Sequence, residues 1–364
     1  MNHFSFQREE FKKKSSEKVN NILASHDRYY IFEISEISEM IVNFLLSNGK
    51  EVIGFISSDS RTRYLNLPII QINEANHEVP IFSSALLRVI QSNKLLKRIG
   101  FDLITDYFEL NLYNESLFKF PTIDNIFSDI ETNYSKYEWL FSLLEDDLSK
   151  QILEAVLNMR FNNQLNPMLK QNVNKQYFDV LSNYDNIDVF VDCGGYHGET
   201  SVLFITKNPN YKKIYFFEPF PEALLIAKKK LEGYNVEFIE KAVYNTDGIL
   251  KLTTNREDGN TISLNGDISI KTCTMDEALL EKIDYIKLDI EGSELNALYG
   301  AERIIKKFQP IITVAIYHKQ SHFWEIPQYL LSLMPESKVY IRHNNDGIYE
   351  TILHVIPNRF YTNL

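Results

Sequence analysis

The chain has 364 residues, 44% of them apolar and 24% charged, with a formal net charge of −11 at pH 7. That length admits two domains and a core able to enclose a ligand without staples, while the negative charge argues against broad binding to nucleic acid or anionic membrane, which needs clustered Lys and Arg. Its two cysteines, Cys193 and Cys273, form neither a disulfide framework nor a metal-type pair; with no signal-peptide core and no apolar run near the roughly 20 residues of a membrane span, a cytoplasmic setting is expected.

Residues 1–27 read as an N-terminal helical segment. From 28 to 121 the pattern is a small α/β unit: a strand at 29–33 (YYIFE), a helix at 36–47 (EISEMIVNFLLS) stopped near Asn48 and Gly49, and strands at 51–56 (EVIGFI) and 80–86 (PIFSSAL). Between 122 and 180 strands vanish, and apolar residues three and four apart predict a connector of two or three helices. From 181 to 364 seven strand candidates (IDVFVDC, KIYFFEP, VEFIEKAV, DYIKLDI, PIITVAIYH, KVYIRH and ETILHVI) alternate with helices, which predicts a doubly wound sheet. The polar stretches 253–266 (TTNREDGNTISLNG) and NNDGIY are expected as pocket-lining loops.

Residues 191–200, VDCGGYHGET, place three of the chain's 13 glycines behind an aspartate at the end of an apolar strand. Such a turn lets backbone N–H groups and a helix N-terminus face a ligand, and NAD, flavin and S-adenosylmethionine domains all use it. The spacing here is D-x-G-G-x-x-G, led by an acid rather than a glycine, so Asp192 suits a cationic amine and sulfonium better than a pyrophosphate. Glu218 ends the next strand twenty positions after Gly198, where a carboxylate can accept from ribose hydroxyls. Asp192, Gly194, Gly195, Gly198 and Glu218 are therefore the candidate cofactor residues, with S-adenosylmethionine as the expected cofactor and a NAD-dependent oxidoreductase as the alternative.

VDCGGYHGET, FFEP, IKLDIEGSELNALYGAERII, IYHKQSHFWEIP and YIRHNNDGIYET together resemble the FkbM-type methyltransferases, over residues from about 143 to the C-terminus. The resemblance implies a class I, S-adenosylmethionine-dependent methyltransferase with a Rossmann-like seven-stranded sheet, order 3-2-1-4-5-7-6 with strand 7 antiparallel, that methylates hydroxyls of sugars or polyketide-type products. His322 stands where relatives carry an acid, and NNDG replaces a tyrosine-containing turn. The first domain resembles the small Rossmann-like nucleotide-binding fold that precedes sugar-modifying enzymes, but Glu33, Ser35 and Ser38 occupy its three glycine positions, so nucleotide binding is expected to be lost.

Ligands of open α/β sheets sit beyond the carboxyl ends of the strands, where Asp192, Glu218, Asp289, His318, Arg342 and His343 are all expected. Methyl transfer to a sugar hydroxyl needs positioning and gains from a base beside the hydroxyl. His318 is the first candidate base, His343 beside Arg342 the second and Asp289 the third, each set against a packing role. Asp289, Glu291 and Glu294 form a carboxylate cluster whose oxygens suit Mg²⁺, and the spacing leaves a metal unassigned. The expected function is O-methylation of a sugar hydroxyl on a surface glycan or glycoconjugate precursor, with no nucleic-acid partner. A scaffold that no longer turns over is the further alternative.

Overall fold

The computed structural model describes residues 4, 7–86, 88–120, 125–165, 177–181, 184–255, 259–262 and 268–361. The chain divides into two compact units, 1–126 with 154–171 and 345–349, and 127–153 with 172–344 and 350–364. Among the described residues no helix is long and apolar enough to cross a membrane.

The first unit begins with α1 (Arg8–Ser25), followed by β1 (Arg28–Phe32), α2 (Ser38–Ser47) and β2 (Glu51–Ile56), the βαβ pattern read from the sequence. Gly49, at φ +71°, turns the chain after α2 in the left-handed conformation that glycine adopts without cost. The sheet is completed by β3 (Arg63–Tyr64), β4 (Leu67–Ile70), β5 (Ile81–Ser83) and β6 (Ile104–Thr105), short strands of which only β5 lies on a sequence-predicted segment. Its order is β3-β4-β2-β1-β5-β6, parallel throughout except between β3 and β4. Tyr30, Phe32, Ile56, Ile81, Leu96 and Phe101 pack into one core against it, Leu96 coming from α3 (Val89–Arg98). Asp106 and Glu109 close a capping box at the start of α4 (Tyr107–Tyr113), and Lys18 of α1 donates to Glu109 at 2.5 Å.

The 122–180 segment contributes three helices, α5 (Ile126–Thr132), α6 (Tyr134–Leu143) and α7 (Asp147–Asn162), as its spacing indicates; 121–124 and 166–176 lie outside the described residues. In the second unit β7 (Val189–Cys193), α8 (Glu199–Lys207), β8 (Lys213–Phe217), α9 (Pro221–Lys230) and β9 (Val236–Ile239) alternate as expected. The polar stretch at 253–266 was expected as a loop, and there the structure differs. A second, four-stranded sheet is made by β10 (Ala242–Val243), β11 (Gly248–Asn255), β12 (Gly259–Ile262) and β13 (Ile268–Cys273), with β11 and β12 antiparallel. Within 253–266 cross-strand hydrogen bonding between the end of β11 and β12 overrides a polar composition. Residues 256–258 and 263–267 are outside the described ones.

After α10 (Met275–Ala278) come β14 (Tyr285–Leu288), α11 (Glu294–Tyr299) and α12 (Glu302–Phe308). The last two replace one sequence-predicted helix, which breaks at Gly300, packed so closely on the Tyr244 carbonyl that a Cβ has no room. Then follow β15 (Ile311–Ala315), α13 (His322–Leu333), β16 (Ser337–His343) and β17 (Thr351–Pro357). The sheet order β9-β8-β7-β14-β15-β17-β16 is the 3-2-1-4-5-7-6 arrangement, with β17 antiparallel to both neighbours. Cys193 pairs with both Phe217 and Leu288, and Leu288 with Val314, so four strands end at one level. Gly194, Glu218 and Asp289 thus lie side by side along that edge, and His318 follows β15 by three residues.

Candidate active site

The glycine turn is packed rather than open. A Cβ on Gly194 would strike the Asp289 carbonyl, and one on Gly195 the Phe216 ring. The amides of Gly194 and Gly195 both donate to the Phe217 carbonyl, at 3.0 and 3.2 Å, and that of Gly198 to Gly195. The expectation that these N–H groups face a ligand is therefore corrected: they lock the turn onto β8. Gly198, at φ +87°, stands at the N-cap of α8. Tyr196 is the outward part of the turn, 60% exposed and stacked on His197 with ring centroids 3.7 Å apart.

Asp192 is also corrected as a direct partner for cationic groups of a cofactor, because it is wholly buried. Its Oδ2 accepts from Ser201 Oγ at 2.7 Å, and its Oδ1 lies 3.2 Å from Lys287 Nζ. Lys287 donates onward to the carbonyl of Gly194 at 2.8 Å. Burial disfavours its ammonium, but Asp192 and Asp289 outweigh that and raise its pKa above 10.5. Sequence reasoning missed Lys287, although a lone charge inside the apolar strand DYIKLD was the signal. Glu218 sits where expected, accepting from the amides of Tyr196 and Phe220 at 2.9 and 3.0 Å. Burial raises its pKa despite these bonds. Each oxygen keeps a lone pair, so the carboxylate can still take a ribose hydroxyl.

Beyond β14 and β15 the chain gathers Asp289, Glu291, Glu294, His318 and Glu350. Asp289 is 18% exposed on its side chain, accepts from the Tyr177 hydroxyl at 2.5 Å and from Tyr317 at 3.3 Å, and lies 3.7 Å from His318 Nε2. Glu291, in the left-handed region at φ +54°, brings an oxygen to 3.3 Å from the same nitrogen. Glu294, fully buried, accepts from the amides of Ile290 and Gly292 and lies 2.9 Å from His318 Nδ1 and 3.4 Å from His322 Nδ1. Burial alone would raise its pKa, but the two histidines hold it well below 4.5. Burial likewise opposes charge on His318, yet Glu294, Glu291 and Asp289 prevail and hold its pKa well above 6.5. The expectation of a free His318 base is corrected by that charge balance: a protonated ring has no lone pair to offer. Glu350, near the Tyr317 hydroxyl at 3.4 Å, is pushed up to about 7 by burial and then by Asp289. Tyr177, Tyr317 and Glu350 were not singled out in the sequence, although Tyr317 stands beside His318 in PIITVAIYH and Glu350 opens ETILHVI.

Arg342 and His343 face other work. Arg342 pairs with Asp146 at 2.7 Å and Asp179 at 3.4 Å and donates to Ser149, tying β16 to the start of α7. His343 shares a 2.9 Å contact with the Thr351 hydroxyl across the β16–β17 pair. The Arg342 guanidinium is committed to Asp146, Asp179 and Ser149 and the His343 ring to Thr351, and these contacts favour a packing role over the catalytic one expected of them. Cys193 is a buried filler whose thiol pKa is driven well up by burial.

Comparison with known proteins bears on the second unit most directly. Residues 192–342 match the model of the methyltransferase FkbM domain. The crystal structure of the methyltransferase FkbM from Methylobacillus flagellatus KT is similar in fold, with a TM-score of 0.73 at 20% identity over 96% of this chain and 99% of that one. The O-methyltransferase from Bacillus cereus in complex with SAH is 12% identical over 62% of this chain and 99% of its own, and its TM-score of 0.35 is too low to bear on the fold. No curated protein matches the sequence. The glycine turn, the seven-stranded order and the domain match converge, and this chain carries at residues 192–342 the methyltransferase domain of the FkbM family.

Proposed function

We propose that the chain methylates a hydroxyl of a saccharide, on a surface glycan or glycoconjugate precursor, with S-adenosylmethionine as methyl donor. The observation that carries this is the shared edge: Glu218, the Tyr196 turn and the Asp289 cluster stand at the level ends of β8, β7 and β14. The cofactor's fit rests on Glu218, buried to 4% exposure yet with lone pairs to spare, and on exposed Tyr196 as a face for stacking. Bound there, the cofactor supplies an electrophilic methyl group on a sulfonium. Asp192 and Lys287 hold the turn in place from beneath. Asp289, the cluster's partly exposed carboxylate, orients the acceptor hydroxyl and receives its proton as the oxygen attacks in line. The saccharide class is what the FkbM resemblance implies, and the carboxylate edge suits a neutral polyol's hydroxyl donors.

The testing experiment is transfer of labelled methyl from S-adenosylmethionine to a panel of nucleotide sugars and extracted glycans. Label in a base-stable sugar ether supports the reading; label only in amines or carboxyl groups overturns the O-methylation of a saccharide. The same lost nucleotide fit is proposed for the first unit, where Glu33 lies at φ +64° and the Ser38 and Ser84 hydroxyls bond one another at 3.1 Å.

A further inference from the structure

Helix α9 (Pro221–Lys230) connects β8 to β9, and β9 is an end strand of the seven-stranded sheet. One side of α9 is spent on the core, where Ala223, Leu224 and Ala227 are buried. The other side carries Leu225, 71% exposed, beside Ile226, 45% exposed. Single exposed aliphatic residues, such as Ile249 and Leu280 of the same unit, are ordinary on a protein surface. Two adjacent ones in an otherwise charged segment make an apolar face that association would bury.

The residues around that pair indicate what covers it. Glu222, Leu225, Ile226 and Lys229 follow the i, i+3, i+4, i+7 spacing that puts four side chains on one stripe, all of them exposed. Glu222 lies in the first turn and Lys229 in the last. The neighbouring lysines are engaged within the chain: Lys230 pairs with Glu199 of α8, and Lys228 lies 5.9 Å from the Phe238 ring centroid. Among the described residues Glu222 and Lys229 have no ion-pair partner. Turned about a twofold axis midway between 225 and 226, the stripe maps onto itself. Antiparallel helices then set Leu225 and Ile226 against their own copies. Glu222 comes level with Lys229 of the second copy, each about 5 Å along the axis from the centre. The helix dipoles agree, each acidic N-terminal turn lying beside a basic C-terminal one.

We propose that α9 is the contact between two copies of this chain, paired antiparallel about a twofold axis. Leu225 and Ile226 form its centre, and two Glu222–Lys229 pairs close its ends. Self-complementarity favours a second copy over an unrelated partner, whose surface would not require an acid and a base at equal distances from the apolar centre. A face built on one ten-residue helix is small, so association in the micromolar range is expected. The proposal stands apart from the methyl-transfer reading, because pairing needs neither cofactor nor acceptor.

The test is sedimentation equilibrium of the full chain between about 1 μM and 1 mM, the span open to a small interface. A reversible monomer–dimer equilibrium is expected. Leu225→Glu should weaken it by at least about tenfold, the scale of one buried aliphatic side chain. Leu280→Glu, at a position 84% exposed and off the stripe, should leave it within about twofold. Glu222→Lys and Lys229→Glu each set like charges opposite one another at both ends and should weaken pairing roughly fivefold at low salt. The two together restore opposite charges and should recover most of that loss, a result particular to the antiparallel register. Circular dichroism confirms that each variant is folded, and the leucine and charge variants test the face independently should one fail to fold. A chain still monomeric at about 1 mM overturns the proposal. So does a dimer that Leu225→Glu leaves within about twofold, or one in which the double charge swap pairs no more tightly than the single ones.

Discussion

Lys287 Nζ lies 3.2 Å from Asp192 Oδ1 and 2.8 Å from the Gly194 carbonyl, so one buried ammonium joins β14 to the turn after β7. Removing it leaves Asp192 charged and unpaired in the core. Lys287→Met should therefore destabilise the chain by about 3–5 kcal/mol, the usual cost of breaking a buried pair. Urea unfolding measures it, and a loss below about 1 kcal/mol would show that the pair does not carry the turn.

Glu218→Ala should weaken S-adenosylhomocysteine binding by about 1.5–3 kcal/mol, the scale of hydrogen bonds to a charged group. Glu218→Gln keeps an acceptor for one neighbouring amide and separates loss of charge from loss of the turn. Because the Glu218 pKa is raised by burial, the carboxylate is ionised only above a value higher than 4.5. Affinity should fall as the pH drops through that value, and the fall should vanish in Glu218→Gln. Calorimetry showing wild type and Glu218→Gln with the same pH dependence removes Glu218 from the ribose site.

The seven main strands and the sheet edge were legible because each strand of the second unit is a short apolar run bounded by turn residues, and parallel sheets bury both faces. The TTN end of β11 and β12 (GNTI) were not, since these polar stretches carry no apolar stripe and their pairing is a tertiary matter. At the site, sequence order placed Asp192, Glu218 and Asp289 on one edge correctly. It could not tell a residue that faces a ligand from one that faces the core: Asp192 points inward to Lys287, and His318 is charged by three carboxylates that surround it only in the fold.

In the first unit Glu33 occupies a left-handed position at φ +64°, a conformation that costs a side-chain-bearing residue about 1–2 kcal/mol relative to glycine. Burial raises its carboxyl pKa further. Ser84 Oγ donates toward the carbonyls of Phe32 and Glu33, filling the space at the end of β1. No measurable binding of NAD or a nucleotide sugar is expected, and Glu33→Gly should raise the unfolding midpoint in urea. A nucleotide seen against the 33–38 turn after a crystal soak overturns the expectation, as does a Glu33→Gly variant less stable than wild type.

His354 is buried between β15 and β16, with Nδ1 3.1 Å from the Thr313 hydroxyl, and burial followed by the Arg342 charge lowers its pKa to about 3. The unfolded chain takes up a proton there near pH 6.5, whereas the folded chain does not. Stability present above pH 6.5 is thus lost as the pH falls toward 3, by up to about 1.4 kcal/mol per pH unit from this group. His354→Gln should flatten the wild-type stability curve between pH 6.5 and 4. Parallel curves for the two proteins would show that His354 is not the acid-sensitive group.

The last prediction concerns the acceptor's proton. His318 is held in its charged form by Glu294, Glu291 and Asp289, so it acts on the reaction by fixing Asp289 rather than by taking a proton. Asp289 is the partly exposed carboxylate, aimed by two tyrosine hydroxyls beside the glycine turn. Asp289→Asn keeps the size and loses the basic oxygen, and should cut turnover by roughly 10²–10⁴, the span of general-base loss, while S-adenosylhomocysteine affinity stays within about twofold. Tyr177→Phe removes one aiming bond and should cost less, roughly tenfold, because Tyr317 still holds the carboxylate. Single-turnover rates in saturating cofactor separate the chemical step from binding. An Asp289→Asn enzyme with more than a third of wild-type turnover would end the assignment. If His318→Gln alone is then inactive and the acid limb of the pH–rate profile disappears with it, the proton goes to the imidazole after all, and the charge balance drawn from the three carboxylates must shift when the acceptor binds.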